Sequence, residues 1–163
     1  MRKANVNLNE FIENLLSKLS GIKTGYLVAL CIIINILLVV LFSKLLFPGI
    51  SNPLKFFSVT EEIIVVVIVG PVIETYLIQG FVLQKALNIS GNNKFIAVLL
   101  SAMLFGLAHI YPAPPIALKA FLAGLLYAIL FFAIQKKNAN PLSFVLLAHA
   151  VYNLIVTCLN HLT

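Results

Sequence analysis

Long aliphatic runs alternate with short clusters of proline, glycine and asparagine along the chain. Five runs stand out, at residues 26–47, 63–83, 95–111, 116–134 and 142–159. A helix needs about 20 mostly apolar residues to cross roughly 30 Å of hydrocarbon, and a backbone in lipid must satisfy its polar groups internally, so each run is expected to be a helix. The third and fifth are short, and are expected to borrow flanking residues or to tilt. The clusters "FPGISNP" at 47–53, "NISGNN" at 88–93, "YPAPP" at 111–115 and "KKNANP" at 136–141 punctuate the runs as loops. The pattern predicts an all-α, polytopic membrane helix bundle with about five transmembrane helices.

A different pattern precedes the first run. Leu8, Phe11, Ile12, Leu15, Leu16, Leu19 and Ile22 recur at three- and four-residue steps, with Asn9, Glu10, Glu13, Asn14 and Lys18 between them. Residues 1–25 are therefore read as an amphipathic helix in the cytoplasmic membrane interface, and 26–163 as the transmembrane bundle. Packing of that helix against another subunit or domain is the alternative. Ser58 followed by Glu61 resembles a capping box, so the second transmembrane helix is expected to begin around Thr60. Pro71 then falls inside it and predicts a kink one turn before Glu74.

Composition agrees with the pattern. The chain is 61% hydrophobic and 10% charged, with a mean hydropathy of +1.07, which excludes an ordinary soluble domain. The net charge of +6 does not imply nucleic acid. Arg2, Lys3, Lys18, Lys23, Lys85, Lys94, Lys136 and Lys137 fall in alternate loops, whereas Lys44, Lys55 and Lys119 fall on or near the other side. That bias predicts a multi-pass cell-membrane protein with its N-terminus in the cytoplasm and its C-terminus outside, and the Lys- and Ile-rich composition points to a bacterium. Cys31 and Cys158 lie within runs and are expected to be buried thiols without metal-ligand spacing.

The chemistry is concentrated in a few polar residues. The five acids are Glu10, Glu13, Glu61, Glu62 and Glu74. The first two belong to the amphipathic helix, and Glu61 and Glu62 suit the first turn of a helix, where the dipole favours negative charge. Glu74 has no such explanation, because an ionisable group at mid-membrane costs about 2.5 to 3.5 kcal/mol on insertion scales. Either it is functional or it is a protonated carboxyl bonded within the bundle. His109 stands one helical turn beyond Phe105, and His149 one turn before Asn153; His161 reads as a solvated terminus. At about 1.5 Å per residue, the depths of Glu74, His109 and Asn153 are compatible with one buried cluster.

At these residues the chain resembles a known family. "PVIETYLIQGFVLQ", "LLSAMLFGLAH" and "FVLLAHAVYN" are similar to the successive motifs of the CPBP (CAAX protease and bacteriocin-processing, Abi-type) intramembrane endopeptidases, over residues 60–158. The family pattern is Glu-Glu-x-x-x-Arg, then Phe-x-x-x-His, then His-x-x-x-Asn. The resemblance implies Glu74, His109, His149 and Asn153 as catalytic residues, with Phe105 and the positions of Thr75 and Gln79 in support. Thr75 stands where the family has its second glutamate and Gln79 where it has arginine. Replacing both members of a buried ion pair avoids the roughly 3 to 5 kcal/mol cost of stranding one charge.

The resemblance further implies hydrolysis of a peptide bond in a membrane-associated peptide or protein, with Glu74 and His109 activating a water and His149 and Asn153 stabilising the oxyanion. The expected form uses no cofactor; a zinc ion held by Glu74, His109 and His149 is the competing version. Bacteriocin processing or self-immunity is the implied setting. A non-catalytic immunity or chaperone-like protein is the main alternative, favoured by Thr75 and Gln79, and a small proton or ion conductor is a third. The expected partners are that substrate, the lipid bilayer and a second copy of the chain in a homo-oligomer.

Overall fold

The computed structural model describes residues 7–48, 56, 58–111 and 113–162, and among these it consists of helices without strands. The loop over 47–53 lies mostly outside the described residues, as do Arg2, Lys3 and Lys55. Asn7 caps the first helix, α1 (Leu8–Ser20), by accepting hydrogen bonds from the backbone N–H groups of Asn9 and Glu10. Among the described residues, four helices are long and apolar enough to cross a membrane: α2 (Thr24–Leu46), α3 (Val59–Ile89), α5 (Pro114–Gln135) and α6 (Pro141–Leu162). Between α3 and α5 lies α4 (Lys94–Ala108), apolar but only 15 residues long, a rise of about 22 Å. The run at 95–111 thus yields a helix shorter than expected. It ends at Ala108, just before "YPAPP", whose prolines disfavour helical backbone in the residues preceding them.

Each boundary has a local cause. Ser58 accepts a hydrogen bond from Glu61 N–H at 3.1 Å, so the capping-box serine is in place and α3 starts one residue before the expected Thr60. Asn93 caps α4 through Ile96 N–H. The preceding turn places Gly91 and Asn92 at positive φ, which glycine and asparagine tolerate best. Prolines open α5 and α6, where the missing N–H costs nothing.

Helix α3 does not break at Pro71. It runs continuously, with widened turns over Ile63–Val69 and Thr75–Val82 on either side of the proline. Gly70 N–H bonds back five residues to Val65 C=O, so the missing donor is absorbed by a locally looser spiral. The proline expected to kink the helix here is thus flanked by a change of pitch.

A seam of small residues joins α4 and α5 within the core. Gly106 on α4 and Gly124 on α5 let the two backbones approach: a Cβ on Gly106 would lie 2.9 Å from Ala117 O and from Phe121 Cβ, and one on Gly124 3.0 Å from Ala102 Cα. Ala120, Gly124 and Ala128 repeat at four-residue steps along the same stripe, the arrangement that brings membrane helices together without a hydrophobic drive. The outward faces carry Ile33, Leu37, Ile68, Tyr76 and Phe81, all exposed, as suits a surface that meets lipid rather than water. Cys31 is buried, but Cys158 lies on the exposed side of α6, contrary to expectation.

Helix α1 is tied to one end of this bundle. Ile12 and Leu16 are buried against it, while Leu8 and Phe11 remain exposed. Glu13 bridges Lys94 at 2.7 Å and Lys136 at 3.0 Å, and Lys137 Nζ donates to the carbonyls of Ser20 and Ile22. The hydrogen bond from Lys94, with Lys136 beside it, holds the Glu13 carboxyl below the usual carboxylate range.

Two outcomes follow from the packing. Gly106→Ala is expected to lower stability by about 1 to 3 kcal/mol through forced separation of α4 and α5. Gly25→Ala, with no atom within 4 Å of the new Cβ, should raise it by up to about 1 kcal/mol; thermal unfolding in micelles measures both. Because Glu13 has a depressed pKa when folded, its contribution is present above the unfolded carboxyl value and lost as pH falls through the folded one. Limited proteolysis of α1 should therefore accelerate below about pH 4.5 in the wild type, and Glu13→Gln should show the fast rate already at pH 7.

Candidate active site

Three helices converge on Glu74. It sits on α3 immediately before the second widened stretch, at the point where the proline has loosened the helix. His109 caps the C-terminal end of α4 rather than standing inside a span, and His149 lies within α6, nearly fully buried. His109 Nε2 is 3.7 Å from Glu74 Oε1, and His149 Nε2 is 3.6 Å from Glu74 Oε2. Both separations exceed a hydrogen bond and suit a bridging water. The carboxylate and His109 are each 32% exposed, whereas the His149 side chain is 6% exposed, so the cluster has one open side and one closed side.

The tautomer of His109 follows from its second contact. Its Nδ1 lies 2.8 Å from Phe105 C=O. A carbonyl only accepts, so Nδ1 carries the hydrogen and the neutral ring turns the Nε2 lone pair toward Glu74. The 3.7 Å between Nε2 and the carboxyl oxygen leaves room for a shared proton or a small donor such as water beside them. His149 differs: Nδ1 is buried without a hydrogen-bond partner among the described residues, and Nε2 is the nitrogen that meets the carboxylate.

Asn153 holds the frame. Its Nδ2 donates to Val66 C=O at 2.7 Å, the carbonyl that a five-residue pattern would have paired with the missing N–H of Pro71. The proline frees an acceptor on α3, and an amide on α6 takes it. His161 is exposed, as expected of a solvated terminus, and also makes a further rung to the same helix, 2.9 Å from Glu62. Antiparallel α3 and α6 are thus joined at Glu62–His161, Val66–Asn153 and Glu74–His149.

Phe105 backs both histidines, with ring centroids 4.8 Å from His109 and 5.9 Å from His149. Tyr127 on α5 stacks on His149 at 4.8 Å and meets Phe105 edge-on at 5.9 Å. The sequence reading passed over Tyr127. A signal existed, since tyrosine favours the ends of membrane spans and this one lies in the middle of its run, four residues from Ala123 on the small-residue side of α5. Thr75 and Gln79 are fully buried one turn apart, and their side-chain polar atoms have no hydrogen-bond partner among the described residues. Among the described residues, no group of three or more His, Cys, Asp or Glu side chains is arranged to hold a metal ion.

The model of the family described as type II CAAX prenyl endopeptidase Rce1-like matches residues 56–155, a stretch that includes every residue of this cluster. A protein of Mycoplasma capricolum subsp. capricolum, described only as uncharacterized, is 30% identical over 108 residues, which is 66% of this chain and 31% of the relative. The chain therefore spans less than a third of that relative's length. No solved structure matches it.

The stack makes a separable prediction. Tyr127→Phe keeps the ring and should leave thermal stability within about 0.5 kcal/mol, since no partner of the hydroxyl is lost. Tyr127→Ala should cost about 3 to 5 kcal/mol by opening a cavity beside His149, read as loss of unfolding temperature in micelles.

Proposed function

Since the chain belongs to the type II CAAX prenyl endopeptidase Rce1-like family, whose model covers residues 56–155, we propose that it hydrolyses a peptide bond of a membrane-associated peptide or protein within the bilayer. The observation that carries this reading is the pair of imidazole nitrogens facing the two oxygens of one carboxylate at 3.6 and 3.7 Å. A water held between Glu74 Oε1 and His109 Nε2 gives both its hydrogens to acceptors and turns its oxygen lone pairs outward. Glu74 takes the proton as the water attacks the scissile carbonyl. His149 Nε2–H stabilises the oxyanion that forms. Asn153 commits one Nδ2 hydrogen to Val66; the other is free to donate to the same oxyanion. The proton held by Glu74 then passes to the leaving amine, and the peptide bond breaks.

The reaction is proposed to need no metal. Thr75 and Gln79 stand where the family pattern has a charged pair, and their neutral burial supports a substrate register that does not draw on charge at these two positions. The same two residues favour the second reading, a non-catalytic immunity or chaperone-like membrane protein that keeps the bundle. The N-terminus is proposed to face the cytoplasm, on the distribution of basic residues.

Terminal-peptide mass spectrometry of membranes from cells expressing the wild type, Glu74→Gln or His109→Ala separates the readings. Product termini should appear with the wild type and fall by about 10²- to 10⁴-fold in both variants, while the folded fraction stays unchanged. Identical termini in all three samples sink the protease and leave the non-catalytic reading. Cleavage should persist after exhaustive chelation; loss restored by zinc overturns the metal-free form.

A further inference from the structure

A cleft of about 210 Å³ opens between α1, α2 and α5, away from the glutamate site. Leu15 and Leu19 of α1, Leu27 and Ile34 of α2, and Leu126 and Ala133 of α5 are among its lining residues. The walls are almost wholly apolar. Leu30 forms a lip and is 44% exposed, so the cleft opens toward the surroundings of α2, a membrane-crossing helix. Such a void does not stay empty in a bilayer, because unfilled space forfeits dispersion contacts on every side.

Charge at the α1 end says what fills it. Lys23 stands one turn before Leu27 on the same face of α2, and Lys18 stands one turn after Leu15 on α1. Both are exposed, and neither makes an ion pair among the described residues. Nearby, Lys94 and Lys136 share the single carboxylate of Glu13, while Lys137 is turned to backbone carbonyls. Cations outnumber acids at this end, and Lys18 and Lys23, without an ion pair among the described residues, lie within one turn of the cleft-lining Leu15 and Leu27. At roughly 30 Å³ for a water-sized group, the cleft takes about seven methylene-sized groups, one segment of a lipid chain.

We propose that this cleft is a binding site for one acyl chain of an anionic phospholipid whose headgroup phosphate sits at Lys18 and Lys23. The lipid wedges α1 against α2 and α5, and so adds to the Glu13 clamp. Selectivity comes from the headgroup, since a tail gains little by exchanging hydrocarbon for leucine.

The full chain in detergent, offered equal amounts of phosphatidylglycerol and phosphatidylcholine, tests the site by native mass spectrometry. The wild type should retain phosphatidylglycerol about tenfold over phosphatidylcholine, and the double variant Lys18→Gln with Lys23→Gln should bring the ratio near one. Leu30→Trp, at the exposed lip, should reduce retention of both lipids. A benzoylphenylalanine at position 30 should give a phosphatidylglycerol adduct on irradiation in vesicles of that lipid. A ratio unchanged by the lysine substitutions overturns the proposal, as does an adduct at position 30 formed with a second copy of the chain instead of lipid.

Discussion

A carboxylate placed among apolar helices has to be compensated by groups from elsewhere in the fold, and the architecture around Glu74 is built to that requirement. Hydrocarbon offers no water to solvate the charge. The two imidazoles that face Glu74 come from the end of one helix and the interior of another. Neither would be in place unless α3, α4 and α6 met at one depth. Fixing that depth is the task of the other polar contacts.

The α3–α6 pairing shows how a local defect becomes a structural device. Pro71 removes a donor, the helix relaxes into wider turns, and the released Val66 carbonyl is taken by Asn153. The same amide that belongs to the proposed oxyanion site thus also pins its helix. Glu62 and His161 repeat the connection toward the other end of α6. The α4–α5 pairing relies on closeness instead: Gly106 and Gly124 remove the side chains that would separate the backbones. Their approach delivers Phe105 and Tyr127 against His149, so the imidazole is held by aromatic rings while its Nδ1 has no partner among the described residues.

Thr75 and Gln79 are the feature that most distinguishes this site. Both are sealed within the bundle with their side-chain polar atoms unpaired among the described residues. Unpaired buried dipoles destabilise a fold, so their retention next to Glu74 is a cost concentrated where the proposed chemistry takes place.

Much of this was legible in the chain. Helices follow from apolar runs because lipid permits little else, and the start of α3 follows from Ser58. Glu74, His109, His149 and Asn153 stand out because polar residues in such runs are expensive. Tyr127 was missed because an aromatic residue in an apolar run looks like core, and only the neighbouring helix reveals the stacked imidazole. The pairing of the exposed His161 could not be foreseen, because nothing in its own segment announces Glu62, which lies 99 positions away. The sequence by itself determined the helical class, the membrane setting and the identities of the polar residues, since these depend on local composition and on the cost of burial. The tertiary structure alone decided which of them meet, the tautomer of His109, the partner of Asn153 and the docking of α1, because each depends on distances between segments far apart along the chain.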